Sequence, residues 1–142
     1  MTAVSAPAPA AVTDTFPING TDYIEFFVGN AKQAAHYYCS AFGFRIVAYR
    51  GPETGVRDAA SYLLQQNKIR LVLTTAVRPE HPAAEHVHRH GDGVRDIALW
   101  VDDTREAFRN AVDRGARPAM EPTVLRDEGG QVVVAAIHTY GD

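Results

Sequence analysis

The chain has 142 residues, of which 46% are hydrophobic and 22% charged, and its formal net charge is −3 with neutral histidines. These values are typical of a soluble globular domain with one core of ordinary size. Lys and Arg are scattered, which argues against a nucleic-acid surface, and no apolar run approaches the roughly 20 residues of a membrane span. Because Cys39 is the single cysteine, an internal disulfide is excluded, and we expect a cytoplasmic protein.

The first half of the chain predicts one helix and four strands. Strand Thr21–Val28 precedes Asn30, which can cap a helix with Gln33 three residues on. Apolar residues then recur at helical spacing as far as Phe42, and Gly43 fits the position after the helix. The three remaining strands are Phe44–Tyr49, Ala59–Gln65 and Ile69–Thr75. The predicted order is therefore β-α-β-β-β.

The second half repeats this order from residue 91. The turn Gly91-Asp92-Gly93 opens strand Val94–Val101, which is apolar almost throughout after Asp96. An apolar run of this kind predicts a strand that is covered on both faces. The segment Asp102-Asp103-Thr104 then stops the strand and caps helix Arg105–Arg114, and Gly115 ends that helix. A hairpin follows, with strands Pro118–Leu125 and Val132–Thr139 on either side of a turn at residues 127–130.

The two halves are copies of one supersecondary unit. Asp22–Val28 lies 73 residues before Arg95–Val101, and each is followed by a capped helix and a glycine. Phe26 and Leu99 fall at equivalent positions and are predicted to face inward. We therefore predict an α+β fold of two tandem β-α-β-β-β units, the second of which lacks its last strand. An alternative count makes Thr123–Arg126 a separate strand and completes the unit.

The predicted organisation has four segments. A disordered tail rich in Ala and Pro comes first, because the start of the chain lacks the basic and apolar regions of a signal peptide. The first β-α-β-β-β unit, a linker with a short helix, and the truncated second unit follow. The boundaries are residues 1–15 for the tail, 16–78 for the first unit, 79–90 for the linker and 91–142 for the second unit.

Two tandem units of this kind resemble the vicinal-oxygen-chelate, or glyoxalase-like, superfamily, in which two open curved sheets close around a site. Short stretches of the chain are also similar, in order and spacing, to the N-terminal half of the 4-hydroxyphenylpyruvate dioxygenase family. Hydroxymandelate synthases, which take the same substrate, are similar in this half. The stretches are Val28–Tyr38, Ala41–Phe44, Val47–Tyr49, Gly51–Glu53, Arg70–Thr74 and His90–Val94.

The resemblance implies a non-haem Fe(II) dioxygenase of tyrosine catabolism, a homo-oligomer that converts 4-hydroxyphenylpyruvate, an aromatic 2-oxo acid, and O₂ to homogentisate and CO₂. In that family the C-terminal half holds the iron on two histidines and one carboxylate. The two histidines lie one residue before the equivalents of Ile24 and Ile97, where this chain has Tyr23 and Asp96. The resemblance therefore implies a fragment without the iron site, whose partner is the C-terminal half of the same chain. We predict no catalytic, cofactor-binding or metal-binding residue in it.

Four histidines are concentrated near the linker. Two of them, His86 and His90, are four residues apart and could share a helix face, as paired metal ligands do. No Cys or carboxylate completes a ligand set, which favours a solvated linker in which His90 belongs to the following turn. The four histidines are His81, His86, His88 and His90.

Three further groups of residues could be catalytic or bind a ligand, but a structural role is the favoured interpretation. Tyr23 and Asp96 could form a polar pair facing a shared cavity, although hydrogen bonding within the core is the favoured interpretation. His36 and Cys39 lie three apart on one helix, yet a small buried thiol is more typical than a reactive pair. His138 lies in an alternating strand and has no predicted partner.

Three classes of function remain open. The chain is part of the dioxygenase, or a stand-alone protein that binds a small aromatic ligand, or a structural subunit that pairs with a separately encoded catalytic half. The first class is the favoured one, because the similar stretches extend over most of residues 16–142.

Overall fold

The computed structural model describes residues 16–127 and 129–140, and the predicted tail lies outside them. A 3-10 turn, Pro52–Thr54, is the one short element between the second and third strands. The helices and strands follow the predicted order closely, and the predicted α+β fold is confirmed. They are β1 Gly20–Phe27, α1 Ala31–Phe42, β2 Arg45–Arg50, β3 Ala59–Gln66, β4 Ile69–Ala76, α2 Pro82–His90, β5 Gly93–Trp100, α3 Thr104–Asp113, β6 Arg117–Asp127 and β7 Gly130–His138.

A five-stranded sheet with the order β2-β3-β4-β1-β5 organises one compact unit, residues 19–100. Strand β1 pairs with β4 in parallel on one side and with β5 in antiparallel orientation on the other. Strands β2, β3 and β4 form an antiparallel meander. The strand that begins the first sequence repeat therefore has a neighbour at each edge, whereas β5, which begins the second, stands at the end of the sheet.

Helix α1 covers one face of this sheet. Its N-terminus is capped by Asn30, whose side-chain oxygen accepts a hydrogen bond from the Gln33 N–H at 3.0 Å. Its C-terminus is closed by Gly43, which adopts a left-handed φ of 75° and donates its N–H to the Cys39 carbonyl at 3.1 Å. Both predicted caps are confirmed. The core beneath the helix consists of Val28, Ala31, Ala35, Leu64, Leu71 and Leu73.

The described residues from Val101 onward belong to a second compact unit, with α3, β6 and β7. Asp103 caps α3 by accepting hydrogen bonds from two backbone N–H groups at 2.8 and 3.0 Å. The Thr104 hydroxyl ties α3 to β7 by donating to the Val133 carbonyl at 3.1 Å. The predicted hairpin is confirmed, but the alternative count with Thr123–Arg126 as a separate strand is wrong. Strand β6 is continuous, and register shifts near Met120 bend its pairing with β7.

The prediction that β5 is covered on both faces is wrong. Val94, Ile97, Leu99 and Trp100 are between 46% and 56% exposed. Strand β5 is the end strand of its sheet, and among the described residues β1 is the one strand paired with it. Leu99 is therefore not equivalent in burial to Phe26, which packs against the core under α1. None of the helices among the described residues is long and apolar enough for a membrane span.

Candidate functional site

The sheet face opposite α1 carries a chain of hydroxyl and carboxylate groups. Ser61 on β3 and Thr74 on β4 are both buried, and their hydroxyl oxygens lie 2.9 Å apart. The Thr74 hydroxyl donates to Oε1 of Glu25 on β1 at 2.7 Å. Because a threonine hydroxyl has a single proton, Ser61 must be the donor to Thr74. These three residues, which we call the hydroxyl network, link three neighbouring strands.

Tyr23 and Asp96 are hydrogen-bonded to one another across the β1–β5 pair. Burial raises the pKa of the Tyr23 phenol above its usual value, and the negative charge of Asp96 raises it further. The phenol therefore keeps its proton and donates a hydrogen bond to the Asp96 carboxylate. In the antiparallel register Asp96 stands opposite Glu25, so the pair lies on the same sheet face as the hydroxyl network. The structure thus brings together Tyr23 and Asp96, the two residues that the sequence suggested as a polar pair.

These side chains do not fit the iron site of the resembled dioxygenases. A facial triad requires two imidazoles and one carboxylate with open positions. The two equivalent positions here hold a phenol and a carboxylate that pair with one another, and Glu25 accepts a hydrogen bond from the Thr74 hydroxyl. Among residues 16–127 and 129–140, no group of three or more His, Cys, Asp or Glu side chains is placed to hold a metal ion. The arrangement serves to pair polar groups within the sheet.

The four histidines in and just before α2 have different environments. His81 caps the helix, because its Nδ1 accepts the Ala83 N–H at 3.1 Å. The His86 ring packs edge-on against the Phe27 ring, with the ring centres 5.4 Å apart. The centres of the His86 and His90 rings are 5.3 Å apart, which confirms that these two histidines share a helix face. His88 is exposed. The interpretation of this segment as a solvated linker is wrong, since Ala83 is fully buried and α2 packs on Phe27 of β1.

His86 has an unusual environment within this contact. Its Nε2 is buried and has no hydrogen-bond partner among the described residues. Burial lowers the pKa of His86 below its usual value, and the nearby His90 and Arg95 lower it further. Arg95 itself lies over the Phe27 ring, 5.8 Å from its centre. A neutral imidazole packed on an aromatic ring therefore helps to dock α2 on the sheet.

The remaining candidate residues are not brought into a common site. Cys39 is partly buried against the core, as predicted for a structural thiol, while His36 is exposed on the same helix. His138 is exposed near the end of β7, where its register partner is Arg117. Sequence reasoning missed the hydroxyl network. The available signal was Glu25 between the apolar residues Ile24 and Phe26, together with the threonines that end the apolar run of β4.

An open cleft of about 510 Å³ lies on the other side of the sheet, next to α1. Phe26, Val28 and Leu73 contribute its apolar lining, and Tyr37 and Tyr38 contribute aromatic rings. It contains none of the hydroxyl-network residues and neither member of the Tyr–Asp pair. This cleft and the hydroxyl network are thus on opposite faces of the sheet.

The fold and the sequence define the family. Residues 20–136 match the profile of the Glyoxalase/Bleomycin resistance protein/Dioxygenase superfamily, and the chain belongs to that superfamily. The resemblance to one of its enzyme families is also confirmed. The chain is 46% identical over 121 residues to the 4-hydroxyphenylpyruvate dioxygenase of Xenopus tropicalis, a match that covers 84% of this chain and 31% of that protein.

A second dioxygenase of the same name, from Yarrowia lipolytica, is 39% identical over 147 residues and matches 100% of this chain but 37% of its own length. The chain therefore spans about a third of the length of the curated relatives it matches.

Solved structures agree with this assignment. A 4-hydroxymandelate synthase variant from Streptomyces coelicolor superposes with a TM-score of 0.80 at 34% identity, covering 85% of this chain and 35% of that chain. Methylmalonyl-CoA epimerase from Mycobacterium tuberculosis superposes with a TM-score of 0.70 at 18% identity, covering 91% of this chain and 84% of the epimerase. The epimerase likeness concerns the fold alone.

Proposed function

We propose that this chain is the N-terminal, non-metal-binding portion of a 4-hydroxyphenylpyruvate dioxygenase. As a whole, that enzyme would convert 4-hydroxyphenylpyruvate and O₂ to homogentisate and CO₂ in tyrosine catabolism. The observation that carries the proposal is the 46% identity to a dioxygenase of that name over 84% of the chain, in a match that takes in only 31% of the relative. The chemistry would then be carried mainly by the part of the enzyme outside this match.

The Tyr23–Asp96 pair supports a structural role for this portion. At the two positions where the resembled family places histidines in its catalytic half, this chain has side chains that satisfy one another. We propose that Fe(II) is held by the C-terminal half, which is the main partner of this chain. The enzyme would be cytoplasmic and homo-oligomeric, and an aromatic 2-oxo acid would be its substrate.

The proposal is tested by expressing the complete reading frame that encodes these residues. The purified protein, supplied with Fe(II), ascorbate and 4-hydroxyphenylpyruvate, should consume O₂ and release homogentisate, which liquid chromatography with mass detection identifies. A control sample treated with a strong iron chelator should do neither. A protein that binds the 2-oxo acid without consuming O₂ would contradict the proposal.

The second candidate is the corresponding portion of a hydroxymandelate synthase. It is favoured by the superposition on the Streptomyces coelicolor 4-hydroxymandelate synthase at a TM-score of 0.80 and 34% identity. The same assay separates the two enzymes, because one product is homogentisate and the other is 4-hydroxymandelate. The identities of 46% and 39% to the named dioxygenases place this candidate second.

A further inference from the structure

The cleft beside α1, which we call the α1 cleft, has a negative charge at one end. Among the described residues that line it, Asp92 is the only charged one, and the others have apolar, aromatic or amide side chains. Its volume of about 510 Å³ lies within the range of roughly 300–1,000 Å³ that is usual for small-molecule sites. The charge of this lining favours a cationic ligand and disfavours an anionic one.

Asp92 is held at the start of α1 by the backbone. Its Oδ1 accepts a hydrogen bond from the Gly29 N–H at 2.7 Å. The Gly29 carbonyl accepts a hydrogen bond from the Thr75 hydroxyl at 3.0 Å, so Gly29 is itself tied to β4. Within the part of the chain that the structure describes, Asp92 forms no ion pair with a basic side chain, and it is exposed. Its second oxygen, Oδ2, can therefore accept a hydrogen bond from a ligand.

The other end of the α1 cleft is aromatic. The ring centres of Tyr37 and Tyr38 are 5.6 Å apart, and their planes meet at 72°. Tyr38 packs partly against the core, whereas Tyr37 is 57% exposed. An exposed ring that is supported by a second ring is a surface on which a further aromatic ring can pack, either offset or edge to face.

The helix determines the distance between the two ends. Tyr37 lies seven residues after Asn30, which is about 10 Å along the helix axis, and Asp92 lies beside Gly29, the residue before Asn30. Ala34, which also lines the cleft, stands between the two ends and has a small side chain. A ligand that reaches both ends therefore has an aromatic ring and a positive charge, joined by a short linker.

We propose that the α1 cleft binds a small arylalkylamine, whose ammonium group donates a hydrogen bond to Asp92 and whose ring packs against Tyr37. A hydrogen bond between an ammonium and a carboxylate is stronger than one between neutral groups. The inference goes beyond the proposed function and does not rest on it. The substrate of the proposed dioxygenase is an aromatic 2-oxo acid, and the negative charge of Asp92 disfavours such an anion in this cleft.

The test is isothermal titration calorimetry with phenethylammonium chloride on the protein expressed from the complete reading frame. The titration should saturate, and the affinity should fall as sodium chloride is raised, because salt screens an exposed charge pair. Two matched probes separate the contributions of the two ends. The neutral 2-phenylethanol lacks the charge and ethylammonium lacks the ring, so each should bind about tenfold more weakly or less tightly still.

Four substitutions locate the site. Asp92→Asn keeps an acceptor for the Gly29 N–H but removes the charge, so it should weaken binding about fivefold or more and remove the salt dependence. Asp113→Asn changes the net charge equally at an exposed position on α3 and should leave binding unchanged. Tyr37→Ala should weaken binding about threefold or more. Its control is Tyr140→Ala, at a residue that is 96% exposed and does not line the cleft.

Any of four results would overturn the inference: no saturable heat with phenethylammonium, equal affinity for 2-phenylethanol, equal weakening by the two aspartate substitutions, or displacement of the amine by 4-hydroxyphenylpyruvate. The last result would place the amine in the active site of the enzyme. If circular dichroism shows that Asp92→Asn does not fold, the matched probes and the salt dependence test the site on the unsubstituted protein. Failure of the proposed function is a separate result, because it is measured as the absence of homogentisate.

Discussion

Thr74 joins polar side chains from three neighbouring strands through a single hydroxyl group. It accepts a hydrogen bond from Ser61 on β3 and donates one to Glu25 on β1, and it is almost fully buried. A buried donor or acceptor that loses its partner costs more than the bond contributes when formed. The stability of this sheet face therefore depends strongly on Thr74.

Replacing Thr74 with valine should destabilise the fold by about 1–3 kcal/mol, because Ser61 and Glu25 then lose their partner while the shape of the side chain is kept. Thr21→Val, at an exposed position on β1, is the matched control and should change the free energy of unfolding by less than about 0.5 kcal/mol. Urea unfolding followed by far-UV circular dichroism measures both. Equal effects at the two threonines would contradict the importance of the hydroxyl network.

His86 should make the fold sensitive to mild acid. Its pKa is lowered from the ordinary value of 6.5, first by burial and then by the charges of His90 and Arg95. Below about pH 6.5 the unfolded chain therefore binds a proton that the folded chain resists, and stability falls as the pH falls through this region. His86→Leu should remove that part of the pH dependence. Melting temperatures at pH 7.5 and 5.5 measure it.

The control for His86 lies on the same helix. His88 is exposed, so His88→Leu should leave the difference between the two melting temperatures as it is in the unsubstituted chain. If the unsubstituted chain and His86→Leu lose equal stability between the two pH values, the partly buried imidazole of His86 is not the source of the acid sensitivity.

At the scale of elements, β1 and β5 show how the same pattern produces different packing. Both begin a sequence repeat, and both are rich in apolar residues. Strand β1 lies between two other strands and beneath α1, whereas β5, within the part of the chain that the structure describes, is paired along one edge only. The number of neighbouring elements, and not the hydrophobicity of the strand, determines how much each side chain contributes to stability.

The same substitution at two leucines tests this difference in burial. Leu73 on β4 is fully buried and Leu99 on β5 is 46% exposed. Leu73→Ala should cost about 2–5 kcal/mol, the range for a buried leucine that leaves a cavity, and Leu99→Ala should cost less than about 1 kcal/mol. Denaturant unfolding of the two variants tests the assignment of the core. A larger loss at Leu99 than at Leu73 would show that β5 is covered.

At the scale of the molecule, the chain combines a complete β-α-β-β-β set, β1 to β4, with a second set of which β5, α3, β6 and β7 are described. The hydroxyl network and the Tyr23–Asp96 pair lie on one sheet face, and neither contains an imidazole. These groups are therefore suited to holding neighbouring strands together.

The 142-residue chain by itself should form no homogentisate and bind no Fe(II) tightly. The physical reason is that Tyr23 and Asp96 satisfy one another where an iron site would need histidines. Oxygen uptake with Fe(II), ascorbate and 4-hydroxyphenylpyruvate should equal the blank, and equilibrium dialysis should retain no stoichiometric iron. Homogentisate above the blank would contradict this prediction and would require a site built from other residues.

Much of the secondary structure was determined by the sequence alone, because its signals are local. Asn30 and Gly43 bracket α1 as the capping pattern predicts, and Asp103 caps α3. The 73-residue repeat determined the order of strands and helices, and with it the superfamily. The residues that form each cap lie within about one turn of each other, and the repeat is a comparison of the sequence with itself, so that tertiary contacts did not have to be known.

The pairing of polar groups and the exposure of β5 were decided only by the tertiary structure. Thr74 and Glu25 are 49 residues apart in sequence and meet because β4 and β1 are adjacent in parallel. Trp100 lies in a sequence typical of a buried strand, yet it is exposed because β5 is the end strand of the sheet. Periodicity records which side chains are apolar, whereas burial depends on which elements cover them, and that is a property of the assembled fold.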